Sequence, residues 1–165
     1  MRDRIFKEMC DAKLRHIYSE MSLDYYRKIS NAFTAIVTIF SAGGVVMGLS
    51  FWKTGTVWPL ISCVIITAIQ ALKLVAPTYV PSANQLKKIE KVIDFYVKYY
   101  TDLEKVWYDY DNDRIDDKAA HDKFFKIKAT EAPIIKISNE TIKHKRRKIS
   151  KEAQLEALSY LKIFQ

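Results

Sequence analysis

The sequence contains no acidic residue between Asp24 and Glu90, and no charged residue of either sign between Lys28 and Lys53. Soluble domains rarely leave such a stretch uncharged, because charged side chains make up much of a water-facing surface. The alternative is a buried helical hairpin in a soluble protein, but the rest of the chain lacks the apolar surface to wrap it. The absence of charge therefore favours a membrane-embedded segment.

Cysteine is scarce: Cys10 lies in a polar N-terminal segment and Cys63 lies deep in an apolar run. Two residues at such different depths are not expected to form a disulfide. Two free thiols fit a reducing cytosol. No signal peptide is predicted, because the first apolar run begins about thirty residues into the chain and lacks a cleavage pattern.

Motifs for catalysis and metal binding are also missing. His16, His121 and His144 are scattered, without metal-ligand spacing around them. No P-loop, nucleophile elbow or dinucleotide fingerprint appears. The acidic run 109–113 resembles the start of a calcium loop, but the later glycine and glutamate of such a loop are absent. We therefore predict no enzyme, no catalytic residue, no metal, no cofactor and no small-molecule substrate.

Two apolar runs, residues 32–52 and 57–76, have the length of transmembrane helices. Each is close to the roughly 20 residues that cross the hydrocarbon core of a bilayer. Only residues 53–56 connect them, so the two helices must be antiparallel neighbours. The sequence predicts an all-α protein built on an integral membrane helical hairpin, residues 31–77.

The distribution of basic residues predicts how this hairpin is oriented. Seven Lys and Arg residues precede the first span, one lies in the turn and eighteen follow the second span. Cytoplasmic loops carry the excess of positive charge, so both termini are expected in the cytoplasm. The predicted segments are an N-terminal cytoplasmic helix, 1–30, the hairpin, 31–77, and a cytoplasmic helical region, 78–165.

Small and polar residues interrupt the two spans. Gly44 and Gly48 form a GxxxG pair, which lets helix backbones approach closely, within the hairpin or between subunits. Other polar positions are candidates for lining a pore or a helix interface: Asn31, Thr34, Thr38, Ser41, Gln70 and Lys73. Hydroxyls also bond back to their own helix, and a lysine near the end of a span also snorkels to the headgroups.

The clearest periodic signal outside the spans lies in residues 82–111. Apolar residues alternate there at spacings of three and four, as in a coiled-coil seam. We predict an oligomer seam made of Leu86, Ile89, Ile93, Tyr96, Tyr100, Leu103, Trp107 and Tyr110. A second apolar strip comprises Val92, Phe95, Tyr99 and Val106. A helix with two strips packs against more than one neighbour: the N-terminal helix, the C-terminal helices or another subunit.

The C-terminal part contains a basic patch of Lys143, Lys145, Arg146, Arg147 and Lys148. Such a run suits phosphate, in lipid headgroups, in nucleic acid or in a charged ligand. A solvated linker is the alternative. Around the patch we predict a helix near 114–130, a break at Pro133 and a final helix from about 150 to 164.

The order of parts is a charged N-terminal helix, a hairpin with a very short turn, and a long amphipathic helix. It resembles the SLATT domains, bacterial two-transmembrane effector modules associated with nucleotide-signalling and other anti-phage systems. The most similar stretch is residues 12–52, and the likeness covers roughly residues 8–110. The tail beyond has no counterpart, and no sensor domain is fused to the chain.

The resemblance implies an effector that oligomerises in the bacterial inner membrane and permeabilises or depolarises it, so that an infected cell stops growing. The residues also allow a non-conducting anchor or scaffold whose cytoplasmic helices bind a protein or a nucleic acid. The expected partners are the lipid bilayer, further copies of the chain, and a separately encoded sensor protein or nucleic-acid-containing partner.

Overall fold

The computed structural model describes the backbone of residues 1–50, 57–142 and 146–161. Inside the helices it leaves out the side chains of 42–50, 57–60, 62, 73, 75–79, 160 and 161. The predicted spans and the turn between them therefore lie partly outside the described residues. The same applies to the side chain of Lys73, to Lys143 and Lys145, and to the surroundings of Gly44 and Gly48.

All the secondary structure of the described residues is α-helical, which confirms the all-α prediction. The helices are α1 (Arg2–Ser50), α2 (Val57–Tyr79), α3 (Ala83–Asp111), α4 (Asp117–Ala129), α5 (Ala132–Thr141) and α6 (Arg147–Leu161). Helix α1 continues from the N-terminal segment into the first apolar run without interruption.

Capping and proline position the ends of the shorter helices. The Asp116 carboxylate accepts a hydrogen bond from the backbone N–H of Ala119 at 2.7 Å, so α4 begins at Asp117. The break predicted at Pro133 lies at residues 130–131, between the end of α4 and the start of α5, and the proline itself occupies the first turn of α5. A first-turn N–H has no partner within its helix, so proline is tolerated there.

The chain forms two compact units. The first comprises Met1–Asp24 together with Asn84–Gln165, and the second comprises Tyr25–Ala83. The N-terminal and C-terminal segments thus belong to one unit, although the predicted hairpin separates them in the sequence.

The first unit has a hydrophobic core contributed by α1, α3 and α4. Its buried members are Ile5, Met9, Ala12, Val92, Tyr96, Tyr99, Leu103, Val106, Ala120 and Phe124. Helix α6 joins the same unit through a smaller cluster, in which Ala153 and Ala157 pack against Ile17. Helices α1 and α4 are therefore neighbours of α3, and α6 is a neighbour of α1.

In the second unit, many large apolar side chains are exposed and Ile69 is buried. The exposed ones are Ile36, Ile39, Phe40, Ile61, Val64, Ile66, Leu72 and Leu74. Among the described residues, none of the helices combines the length and the hydrophobicity that a membrane crossing requires.

Candidate functional surfaces

The polar stripe predicted on the first span lies on one exposed face of α1. Asn31, Thr34, Thr38 and Ser41 are all exposed. The Thr34 hydroxyl donates to the backbone oxygen of Ser30 at 2.9 Å, and the Thr38 hydroxyl donates to that of Thr34 at 2.8 Å. These two donors are satisfied by their own helix, so they do not require a water or a neighbouring chain.

Helix α2 repeats this arrangement. The Thr67 hydroxyl donates to the backbone oxygen of Cys63 at 2.8 Å. Gln70, the second polar candidate in this helix, is exposed. The threonine hydroxyls of both helices thus donate to the backbone oxygen four residues earlier. This bond lowers the free-energy cost of placing a hydroxyl in a medium without water.

The predicted seam of α3 is packed within the chain. Three of its members, Ile89, Tyr96 and Leu103, are buried. The other five, Leu86, Ile93, Tyr100, Trp107 and Tyr110, are half-buried. The three buried side chains are therefore not available to another subunit, while assembly of the chain through other surfaces stays a prediction.

The centre of the buried stripe differs from the predicted seam. Buried positions of α3 are Ile89, Val92, Tyr96, Tyr99, Leu103 and Val106, again at spacings of three and four. The stripe thus combines members of both apolar strips. The predicted seam and the observed stripe both have the spacing of a buried helix face. Helices α1 and α4 pack on the side of α3 that carries Tyr99, so the observed stripe is the buried one.

The basic patch is described in part. Arg146, Arg147 and Lys148 are exposed, and Arg147 is the first residue of α6. Their charges are accessible to a phosphate group. Lys143 and Lys145 lie outside the described residues.

A polar network, which the sequence did not indicate, links three parts of the first unit. The Arg15 guanidinium donates to the Glu131 carboxylate at 2.8 Å and to the Tyr96 hydroxyl at 3.1 Å. Glu131 is buried, whereas the Arg15 side chain is half-exposed. The partners are separated by 116 residues in sequence, so no periodic pattern could have paired them.

A second polar contact lies on the same side of α1. Lys128 forms an ion pair with Glu8, and the Tyr99 hydroxyl donates to the same carboxylate at 3.1 Å. Burial, then the nearby Glu131 and Glu8 carboxylates, raise the pKa of Tyr99 far above its usual range. Burial likewise raises the pKa of Tyr96. Both phenols are therefore neutral donors at physiological pH, with a positioning role for α1, α3 and α4.

A cavity of about 470 Å³ opens in the first unit beside this network. Its lining residues include one cationic residue, one acidic residue and three serines: Arg15, Asp11, Ser19, Ser138 and Ser150. Because the two charges are opposite, the lining selects neither an anion nor a cation. The described residues also contain no group of three or more His, Cys, Asp or Glu side chains arranged to hold a metal ion.

Comparisons with protein-family models, with curated proteins and with solved structures found no match for this chain.

Proposed function

We propose that residues 31–77 form a hairpin in the bacterial inner membrane, and that copies of this chain assemble there and permeabilise or depolarise the membrane. The observation that carries the proposal is the exposure of large apolar side chains in the second unit. Ile39 is 68% exposed and Leu74 is 82% exposed. A hydrocarbon environment would cover these side chains without requiring a larger protein core.

The charge pattern supports a membrane environment for this unit. No charged residue occurs from 29 to 52, and Lys53 stands alone in the short connection. The Thr34 and Thr38 hydroxyls bond to their own helix, as polar groups in hydrocarbon must find an internal partner. The contiguous exposed apolar side chains of this unit, by contrast, would be unfavourable on a surface that faces water.

Assembly follows from the size of the hairpin, because two helices cannot enclose a conducting path. Gly44 and Gly48 are the residues through which we expect helices of different copies to approach each other. Asn31, Thr34, Thr38 and Ser41 form an exposed polar stripe that could face water once several copies surround it. The resemblance to SLATT domains points to the same outcome, growth arrest of an infected cell.

A second candidate function is a non-conducting membrane anchor or scaffold. One observation favours it: the Thr34 and Thr38 hydroxyls already have partners, so the stripe does not need water. In that case the first unit, with its own core and its exposed basic residues on α6, would bind a protein or nucleic-acid partner.

Membrane potential distinguishes the two functions. We expect bacteria that express this chain from a tight promoter to depolarise rapidly, as read with a voltage-sensitive dye. Gly48→Leu should abolish the effect at equal membrane abundance, because a leucine keeps the helix backbones apart. Ala71→Leu is the matched control, since it also introduces a leucine, at an exposed position of α2, and should leave depolarisation intact.

The outcome that contradicts conduction is an unchanged potential under phage challenge in the native gene context. That result would assign the chain to the anchor or scaffold function. Release of the protein from membranes by an alkaline carbonate wash would instead contradict the membrane hairpin itself, and with it both functions.

A further inference from the structure

One face of helix α6 is buried in the first unit. Ala153 and Ala157 are buried and contact the cluster around Ile17. Leu14 and Tyr18 of α1 pack against the same cluster. The small alanine side chains let the two helices approach closely, which determines the side of α6 that stays outside.

The opposite face of α6 carries cations in its first half and leucines in its second half. Lys148 and Lys151 are exposed, Leu155 is 69% exposed and Leu158 is 58% exposed. The spacings between them are three, four and three residues, which places all four on one side of a helix. Arg147 flanks this group and is exposed as well. We call these residues the outer face of α6.

Carboxylates of α6 lie beside the outer face and not on it. Glu156 follows Leu155 by one residue, about 100° further round the helix. Its carboxylate is close enough to His16 of α1 to act on the pKa of that imidazole. Glu152 precedes Glu156 by one turn and lies in the same row. Glu152 is also four residues after Lys148 and three before Leu155, so it borders the outer face. The face therefore combines apolar surface with three cations, Arg147, Lys148 and Lys151, against this one bordering carboxylate.

We propose that the outer face of α6 binds the surface of a bilayer containing anionic phospholipids. Lysine and arginine would pair with the lipid phosphates, while Leu155 and Leu158 would enter the boundary between headgroups and acyl chains. Nucleic acid would match the cations but would leave both leucines in water, so the lipid surface accounts for more of this face. The inference rests on the proposed membrane function only in that it needs a bilayer close to the chain.

The test uses the full chain in vesicles with an environment-sensitive fluorophore on α6. The fluorophore NBD is attached at Gln154→Cys, an exposed position beside the outer face, in a Cys10→Ser, Cys63→Ser background. Vesicles of phosphatidylcholine are compared with an equal mixture of phosphatidylcholine and phosphatidylglycerol. We expect a blue shift and an increase in intensity in the anionic vesicles, and their loss at about 1 M salt, where the Debye length falls to about 3 Å.

Variants separate charge from hydrophobicity. Each cation near an anionic surface multiplies the bound-to-free ratio roughly fivefold, so Lys148→Gln with Lys151→Gln should lower that ratio about thirtyfold. Leu155→Ser with Leu158→Ser should also lower it. The matched control is Lys87→Gln with Lys91→Gln, which removes the same charge from exposed positions of α3 and should change nothing.

Three outcomes would overturn the inference. The first is an unshifted label in anionic vesicles, and the second is a label that responds to added DNA but not to those vesicles. The third is a blue shift that occurs equally in phosphatidylcholine and grows with the protein-to-lipid ratio, because a second copy would then cover the face. A carbonate wash of the same vesicles measures separately whether the protein is inserted in the bilayer. Absence of insertion would contradict the proposed hairpin, whereas an inserted protein with an unshifted label would contradict only the inference about α6.

Discussion

His16 is a titratable residue in an unusual setting for a helix of the first unit. Its ring lies 5.9 Å from that of Tyr100, and among the described residues its Nδ1 atom has no hydrogen-bond partner. Burial lowers the pKa of the imidazole, and Lys13 lowers it further, while the carboxylates of Glu20 and Glu156 act in the opposite direction. The folded state therefore favours the neutral ring.

The first prediction concerns the pH dependence of stability. The unfolded imidazole titrates at its ordinary pKa of about 6.5, above that of the folded state, so the unfolded state binds more protons in the window just below 6.5. Stability should be full above this pH and fall as the pH is lowered through the window. We expect His16→Gln to lose less stability than the wild type between about pH 7.5 and about pH 5.5.

The measurement is the urea midpoint of the full chain in detergent micelles at both pH values. Thr101→Gln is the control, because Thr101 is exposed and neither side chain titrates between these pH values, so the wild-type pH dependence should stay in place. Equal pH dependence of the wild type and His16→Gln would contradict the expectation.

At the scale of elements, α3 organises the first unit. Its buried stripe runs through Tyr96 and Tyr99, and both hydroxyls bond to charged groups on neighbouring elements. Small residues on those neighbours, Ala12 on α1 and Ala120 on α4, are buried against the same stripe. Close packing on this side explains why the buried stripe includes Tyr99 while the next residue, Tyr100, is only half-buried.

The two adjacent tyrosines provide a test of this register. Tyr99→Ala should lower the free energy of unfolding by about 3–5 kcal/mol, because it empties a fully buried site. Tyr100→Ala removes the same number of atoms from a half-buried site and should cost about 1–2 kcal/mol. Chemical unfolding followed by circular dichroism measures both. A larger loss of unfolding free energy in Tyr100→Ala than in Tyr99→Ala would contradict this expectation. It would indicate that the predicted seam, and not the observed stripe, lies at the centre of the core.

At the scale of the whole molecule, the charges are divided unevenly along the chain. Basic residues are concentrated on both sides of the predicted hairpin, and the connection at 53–56 holds a single lysine. Lys and Arg residues within about 15–20 residues of the ends of a span favour the cytoplasmic side of a membrane. For the proposed hairpin, this charge distribution predicts that the turn lies on the side of the membrane opposite to both termini.

Cysteine labelling tests this topology. In a Cys10→Ser, Cys63→Ser background, we expect a membrane-impermeant maleimide to label Thr54→Cys in intact spheroplasts. Lys98→Cys, at an exposed position of α3, should react only after the membrane is permeabilised. The reverse pattern would invert the orientation, and labelling of neither site in intact cells would contradict an exposed turn.

Several features of this protein could be predicted from its sequence, because they depend on the types of residues that are close together in the chain. Apolar periodicity and the scarcity of glycine outside the region 43–55 determine that the chain is helical and that α3 has an amphipathic surface. The uncharged stretch after Lys28 determines which part of the chain presents apolar side chains without burying them. These properties depend on neighbours in sequence, so periodicity and composition suffice to predict them.

Tertiary structure alone decided which surfaces face one another. The ion pair of Arg15 with Glu131, the register of α3 and the outward orientation of Leu155 all depend on contacts between residues distant in sequence. Helix α3 has two adjacent apolar strips, and both have the spacing of a buried helix face. Periodicity therefore does not determine which of the two strips is buried. The packing partners select the row, and for α3 these are α1, at the N-terminus, and α4, the next helix along the chain.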